Sequence, residues 1–192
     1  MARVFVDTNV LFPFSLMDLM LALTEDAVHA LVWSDHLLDE WERVIVRERG
    51  RSAPAAARIS AAIREFFADT RVSEDDYKHL LDRIDGPDPD DCHHMAAAIA
   101  GRAQILVTWN LSDFPASTLS CYGLTVVDPD TYLCALLAQN LREVMGVLAR
   151  MSAGKRRPPM SVLDITSALD RAGVPGFAQR IRSSLSVQPG EP

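Results

Sequence analysis

The chain has 192 residues and is 48% hydrophobic, enough for one ordinary α/β domain with a modest appendage. Its formal charge of −7 is uneven: residues 1–141 hold 11 Lys/Arg against 22 Asp/Glu, and residues 142–192 hold 8 against 4. An acidic body with a basic tail excludes a uniformly acidic protein but not a nucleic-acid partner, because carboxylates gathered around divalent metal lose much of their repulsion toward phosphate.

Arg3-Val4-Phe5-Val6-Asp7 is a short apolar run ending abruptly in Asp-Thr-Asn, as a buried parallel strand does when its carboxyl end carries polar groups. Pro13 and the apolar stretch Leu16–Leu23 open a helix, and Ala30–Trp33 reads as a second strand. Ser34 then caps a helix over 35–49, with Leu37, Leu38, Trp41, Val44 and Ile45 at helical spacing. Helices are predicted over 54–68 and 74–83, the latter opened by Ser73. Gly86-Pro87-Asp88-Pro89-Asp90-Asp91 is a break, followed by an alanine-rich helix from Cys92 to Ala100 that Gly101 stops. Gln104–Thr108 is a further strand, running into Trp109-Asn110 with Asp113 three residues on. Leu124–Val127 is another, ending in Asp128, and a long helix runs from near Asp130 to about 151.

Strands alternating with helices predict a parallel sheet within a three-layer α/β/α sandwich over residues 1–151. Residues 152–160 read as a basic, proline-bearing linker, and 161–187 as a helical extension. Within it, Ser161 caps a helix to Ala172, Gly173–Gly176 is a turn, and a last helix ends near Leu185. Residues 188–192 are an expected disordered tail. Cys92, Cys121 and Cys134 lie far apart without CxxC spacing, and no apolar run is long enough to span a bilayer. A soluble, cytoplasmic protein with buried thiols is expected.

In open parallel sheets, ligands sit beyond the carboxyl ends of the strands. Three polar clusters fall there: Asp7-Thr8-Asn9, Asn110 to Asp113, and Asp128. Asp88, Asp90 and Asp91 open a helix, and Glu40 lies early in another. Crowded carboxylates raise one another's pKa and call for a cation, and hard oxygen donors select Mg²⁺ or Mn²⁺. Plainer readings stand beside these: Asp90 or Asp91 as a helix cap, Asp128 before Pro129 as a turn or cap, Glu40 as a solvated residue. His36 and Glu40, four apart, have a spacing that can hold a transition metal, but no cysteine or second histidine at ligand spacing completes a zinc site. His93 and His94 are adjacent and so face apart on a helix. His94 is near enough to the acids to assist a proton transfer, and no role is assigned to it.

The quoted segments resemble a family. Val4-Phe5-Val6-Asp7-Thr8-Asn9-Val10-Leu11 and Leu37-Leu38-Asp39-Glu40 look like the first two motifs of PIN-domain ribonucleases. Asp88-Pro89-Asp90-Asp91-Cys92-His93-His94-Met95-Ala96-Ala97-Ala98 resembles the third, and Leu106 through Pro115 the fourth. Their order, over roughly residues 3–130, is most similar to VapC-type toxins of bacterial toxin–antitoxin pairs. The resemblance implies a metal-dependent endoribonuclease with an acidic centre of Asp7, Glu40, Asp91 and Asp113, using Mg²⁺ or Mn²⁺, and partnered by RNA and a cognate antitoxin. Asp7 and Asp91 would be core metal ligands. Glu40 would bind a second ion or orient water, and Asp113 would act directly or through water. Thr8 would bond within its motif, Asn9 would brace the loop, and Thr108 lies at the end of its strand. Two alternatives stay open: Asp90 in place of Asp91, and Asn110 sharing the role of Asp113.

The segment after about 155 resembles a helical extension found on a subset of these toxins. Its Lys155, Arg156, Arg157, Arg171, Arg180 and Arg182 are candidates for contacting RNA phosphates. The alternative is a packing pair of helices, or one stabilising a homodimer, with solvated charges. Two other functions compete with the nuclease. One is a non-catalytic module of the same fold that binds RNA or protein. The other is a haloacid dehalogenase-type phosphatase, which needs a second acid where this chain has Asn9.

Overall fold

The computed structural model describes residues 1–84, 86 and 88–186. The tail expected at 188–192 lies outside them, as does Pro87 of the break before Asp88. Five strands form one all-parallel sheet: β1 (Ala2–Val6), β2 (His29–Ser34), β3 (Arg71–Val72), β4 (Ile105–Val107) and β5 (Thr125–Val127), in the order β3-β2-β1-β4-β5. Flanked by helices, this sheet is the expected α/β/α sandwich. The two-residue β3 was not anticipated, since so short a run carries no periodicity.

The chain divides into two compact units, the first comprising Met1–Phe12 and His29–Asp128. It holds the sheet with α1 (Thr8–Leu11), α3 (Asp35–Arg49), α4 (Ala53–Phe66), α5 (Glu74–Tyr77), α6 (Pro89–Ala100) and α7 (Ala116–Ser120). Val4, Phe5, Val6, Val32, Trp33, Leu106 and Val107 are all fully buried. That accounts for strands that read as continuous apolar runs, each such side chain contributing about 1.5–3 kcal/mol. Ser34 caps α3 as expected, its Oγ accepting from Leu37 N at 3.3 Å. The expected helix over 74–83 is one α turn followed by a 3₁₀ segment over Lys78–Arg83. Gly101 does end α6, but not through a left-handed cap, since its φ is −72°. A Cβ there would lie 2.4 Å from Val32 and 2.8 Å from Val72, so glycine permits the close approach to β2 and β3.

The second unit comprises Pro13–Val28 and the chain from Pro129 onward. It contains α2 (Phe14–Glu25), α8 (Pro129–Gln139), α9 (Leu141–Gly154), α10 (Val162–Arg171) and α11 (Pro175–Ser186). This grouping differs from the expected division at 151/161, because α8 and α9 fall with the C-terminal helices. The long helix expected from 130 to 151 is broken at Asn140, whose φ of −135° and ψ of 45° leave the helical region. Asn140 Nδ2 bonds back to the Leu136 carbonyl at 3.1 Å, the local competition that makes asparagine a poor helix interior. Ser161 and Asp164 form the capping box that starts α10. Asp130 accepts from the backbone N–H groups of Gly176 and Phe177 at 2.9 and 2.7 Å, capping α11 from another helix. No helix among the described residues is long and apolar enough to cross a membrane.

Candidate active site

β1 lies between β2 and β4, so its carboxyl end is where the strand order reverses and a parallel sheet opens a crevice. Asp7 leaves β1 at that point. Its backbone N–H donates to the Val107 carbonyl at 3.0 Å, and the residue is only 5% exposed. A cleft of about 620 Å³ opens there, and Asp7, Thr8, Asn9, Glu40, Asp88, Asp90, Asp91, Asn110 and Asp113 all line it. Phe12, Val44 and Glu48 complete its wall. Asp128, the remaining strand-end acid, does not line this cleft but directly precedes α8.

Two threonines hold the acids. Thr108 Oγ1 donates to Asp7 Oδ2 at 2.7 Å, and Thr8 Oγ1 donates to Glu40 Oε2 at 2.8 Å. Thr8 therefore reaches into the second motif instead of bonding within its own. Asn9 spans to the β4 loop, its Nδ2 donating to Thr108 Oγ1 at 3.3 Å while its Oδ1 accepts from Trp109 N at 3.3 Å. Asn110 N also donates to Thr108 Oγ1, at 3.0 Å.

At the start of α6 the three acids take different positions. Asp88 is the cap, its Oδ1 accepting from Asp90 N at 2.8 Å. Asp90 turns outward to His36 Nε2 at 3.2 Å. Asp91 turns toward Asp7, and one ligand atom from each of Asp7, Asp91 and His94 falls within 4.8 Å of the others. Asp113 has its N–H on the Asn110 carbonyl at 3.0 Å and accepts from Ser112 Oγ at 3.2 Å. Glu40 and Asp113 share the cleft but stand outside that three-residue group.

The electrostatics follow from this crowding. Burial, then the charge of Asp7, with smaller contributions from Asp88 and Asp113, push the Asp91 carboxyl up to about 6 against the pull of His94. Burial would also raise Glu40, but His94 and the Thr8 hydroxyl outweigh it and leave that carboxyl below its ordinary value. Burial would lower His94, yet Asp7 and Glu40 beside it raise it to about 9. His94 thus stands against two of these acids, and its sequence context alone gave it no role. The available signal was its place three residues after Asp91, on the same helix face. Its neighbour His93 faces away, stacked on His36 at 4.2 Å between ring centroids and 3.3 Å from the Tyr77 hydroxyl.

Of the six cations singled out in the C-terminal region, Lys155 pairs with Asp18 and Arg182 with Asp170, each at 2.7 Å. Arg156, Arg157, Arg171 and Arg180 are exposed.

Acids carried by β1, α3, α6 and the β4 loop thus line one cleft at the reversal of a parallel sheet. A family model described as the PIN domain matches residues 3–112, more than half of the chain, and the chain belongs to that family. A second model, described as the VapC50 C-terminal domain, matches residues 129–183. The chain is similar to a Mycobacterium tuberculosis protein named "Putative ribonuclease VapC50", at 33% identity over 92 residues. That match covers 48% of this chain and 54% of the relative, so the chain spans about half of that protein's length. No solved structure matches.

Proposed function

We propose that the protein is a Mg²⁺- or Mn²⁺-dependent endoribonuclease of the cytoplasm, the toxin of a toxin–antitoxin pair. The observation that carries this reading is the convergence of Asp7, Glu40, Asp91 and Asp113 on one cleft at the switch point of the sheet. The donor set fits a cation: burial and the charge of Asp7 raise the Asp91 carboxyl, and the buried His94 ring lies between the carboxylates of Asp7 and Glu40. Similarity to a protein named as a ribonuclease gives further support.

Asp7 and Asp91 would hold the cation, with Glu40 and Asp113 positioned beside it. When bound, Mg²⁺ or Mn²⁺ supplies polarisation of a phosphoryl oxygen, a lowered pKa for water and neutralisation of the leaving oxygen. Thr108 fixes Asp7 so that one carboxylate oxygen is occupied and the other faces His94. Thr8 holds Glu40 through Oε2, the oxygen that also faces His94, and Asn9 braces the β4 loop that carries Asn110 and Asp113. Phe12, in the cleft wall with the Arg49 guanidinium 4.4 Å from its ring centroid, offers a surface for an unstacked base. Exposed Arg156, Arg157, Arg171 and Arg180 are the available phosphate contacts of the C-terminal region. A cognate antitoxin is the proposed protein partner, and a homodimer is compatible with the helical pair of α10 and α11.

The test is cleavage of a panel of single-stranded and looped RNAs with Mg²⁺ or Mn²⁺. Wild type cuts, EDTA stops it, and Asp7→Ala and Asp91→Ala each lose at least a hundredfold. Undiminished cleavage by both variants overturns the proposed centre.

A further inference from the structure

Behind two of the acids that line the cleft, Asp7 and Glu40, stands a buried side chain that the four acids do not account for. His94 is 1% exposed, on α6 against the Phe5 ring, with 5.7 Å between ring centroids. Buried polar groups are nearly always hydrogen-bonded, since burial strips them of water. Neither Nδ1 nor Nε2 of His94 has an aligned partner. Both nevertheless face carboxylates, Nδ1 lying 3.4 Å from Asp7 Oδ1 and Nε2 3.0 Å from Glu40 Oε2.

The spacing identifies what such a ring can serve. Donors bound to one cation at about 2.0–2.2 Å stand roughly 3–4 Å apart. The mutual 4.8 Å limit met by Asp7, Asp91 and His94 is close to that spacing, so a small contraction closes the group around an ion. Asp91 and His94 present their donors together because residues three apart share a helix face, and Asp7 arrives from β1.

We propose that His94 is a nitrogen ligand of the cation, coordinating through Nδ1 beside Asp7 and Asp91, with Glu40 orienting the ring from Nε2. This rests on the metal-dependent reading above and adds an imidazole to its acids. Metal-bound histidines commonly direct their second nitrogen to a carboxylate, which fixes the tautomer and the ring orientation. Glu40 suits that task, since Thr8 already holds the same Oε2 that faces the ring. Glu40 is then a positioning residue and not a ligand of a second ion. Two carboxylates with one imidazole favour Mn²⁺ over Mg²⁺, which prefers an all-oxygen shell.

The test loads the full chain with Mn²⁺ alone and records electron spin-echo envelope modulation. Wild type is expected to show ¹⁴N modulation from one directly bound imidazole, replaced by a ¹⁵N pattern after histidine labelling. His29→Gln, His36→Ala, His79→Ala and His93→Ala keep the signal. His94→Ala loses it and binds Mn²⁺ at least tenfold more weakly. Glu40→Gln keeps it and weakens binding roughly tenfold. If His94→Ala does not fold, persistence of the signal in the other four histidine variants still assigns it. Mn²⁺ bound to wild type without nitrogen modulation, or a signal lost in His36→Ala or His93→Ala, overturns the assignment and leaves the nuclease reading intact. A wild-type protein that binds no Mn²⁺ and cuts RNA equally well in EDTA overturns both.

Discussion

Thr108 donates its hydroxyl hydrogen to Asp7 Oδ2 at 2.7 Å, tying the end of β4 to the acid that ends β1. The two strands are neighbours in the sheet but are separated by about a hundred residues of chain, so this bond closes the crevice at its floor. It also leaves Asp7 Oδ1 as the oxygen directed at His94. The same Thr108 oxygen accepts from Asn9 Nδ2 and Asn110 N, so one hydroxyl organises the first and fourth motifs together.

Thr108→Val keeps the shape of that side chain and removes its polar atom. Asp7, Asn9 and Asn110 each lose a partner at a fully buried position, for an expected loss of about 1–3 kcal/mol in stability. RNA cleavage should fall roughly tenfold, mainly in kcat, because the variant alters the orientation of Asp7 and not the surface that meets RNA. Thr108→Ser should restore most of both. Denaturation curves and steady-state rates on one RNA check this, and an unchanged kcat in Thr108→Val would remove the positioning role.

Asp90 and Asp91 should separate cleanly. Asp90 is exposed and paired with His36, whereas Asp91 turns inward to Asp7. Asp90→Ala is expected to stay within about threefold of wild type, since exposed ion pairs are worth about 0–1 kcal/mol. Asp91→Ala should lose at least a hundredfold. Parallel cleavage assays settle which of the two acids is used.

Asp91 should also exact a cost from the protein stripped of metal. Its carboxyl rises from an ordinary 3.8 to about 6 in the fold. Between those values the native state holds a proton that the unfolded chain has released, so stability falls as pH rises through that window. The full shift would be worth about 3 kcal/mol, but solvent reaches this carboxyl and screens it, leaving about 1 kcal/mol at pH 7. Asp91→Asn should therefore melt higher than wild type in EDTA at pH 7, with the difference vanishing near pH 4. Added Mn²⁺ should raise the wild-type Tm and leave the variant nearly unmoved. Melting curves at the two pH values, with and without ion, decide it.

Much of this was legible in the sequence because its physics is local. The apolar runs of β1, β2 and β4, the Ser34 cap, the Ser161 cap and the ordered acids all show at short range. What escaped depends on distant residues. β3 exists because Arg71 and Val72 find an open edge on β2, not because two residues carry a pattern. The break at Asn140 overrode an apolar periodicity that ran on through it. His94 was hidden by its neighbour His93, since a pair of adjacent histidines does not reveal which one the helix turns inward. Only the step of three from Asp91 points to it, and that step gains meaning once β1 has placed Asp7 opposite.

The fourth motif offers the sharpest remaining test, because Asn110 and Asp113 line the same cleft and differ in charge. Asp113 is among the charges that raise the Asp91 carboxyl, and neutral Asn110 is not. Asp113→Asn removes that repulsion, so Asp91 should lose its proton at lower pH. The acid limb of the cleavage profile should then move to lower pH, and the rate on its plateau should fall if Asp113 works beside the cation. Asn110→Ala should leave the limb in place, since only a hydrogen-bonding group is lost. Profiles of kcat/KM for the three proteins on one RNA, at constant ionic strength, read both effects. A limb displaced in Asn110→Ala and unmoved in Asp113→Asn would reverse the roles of the two residues.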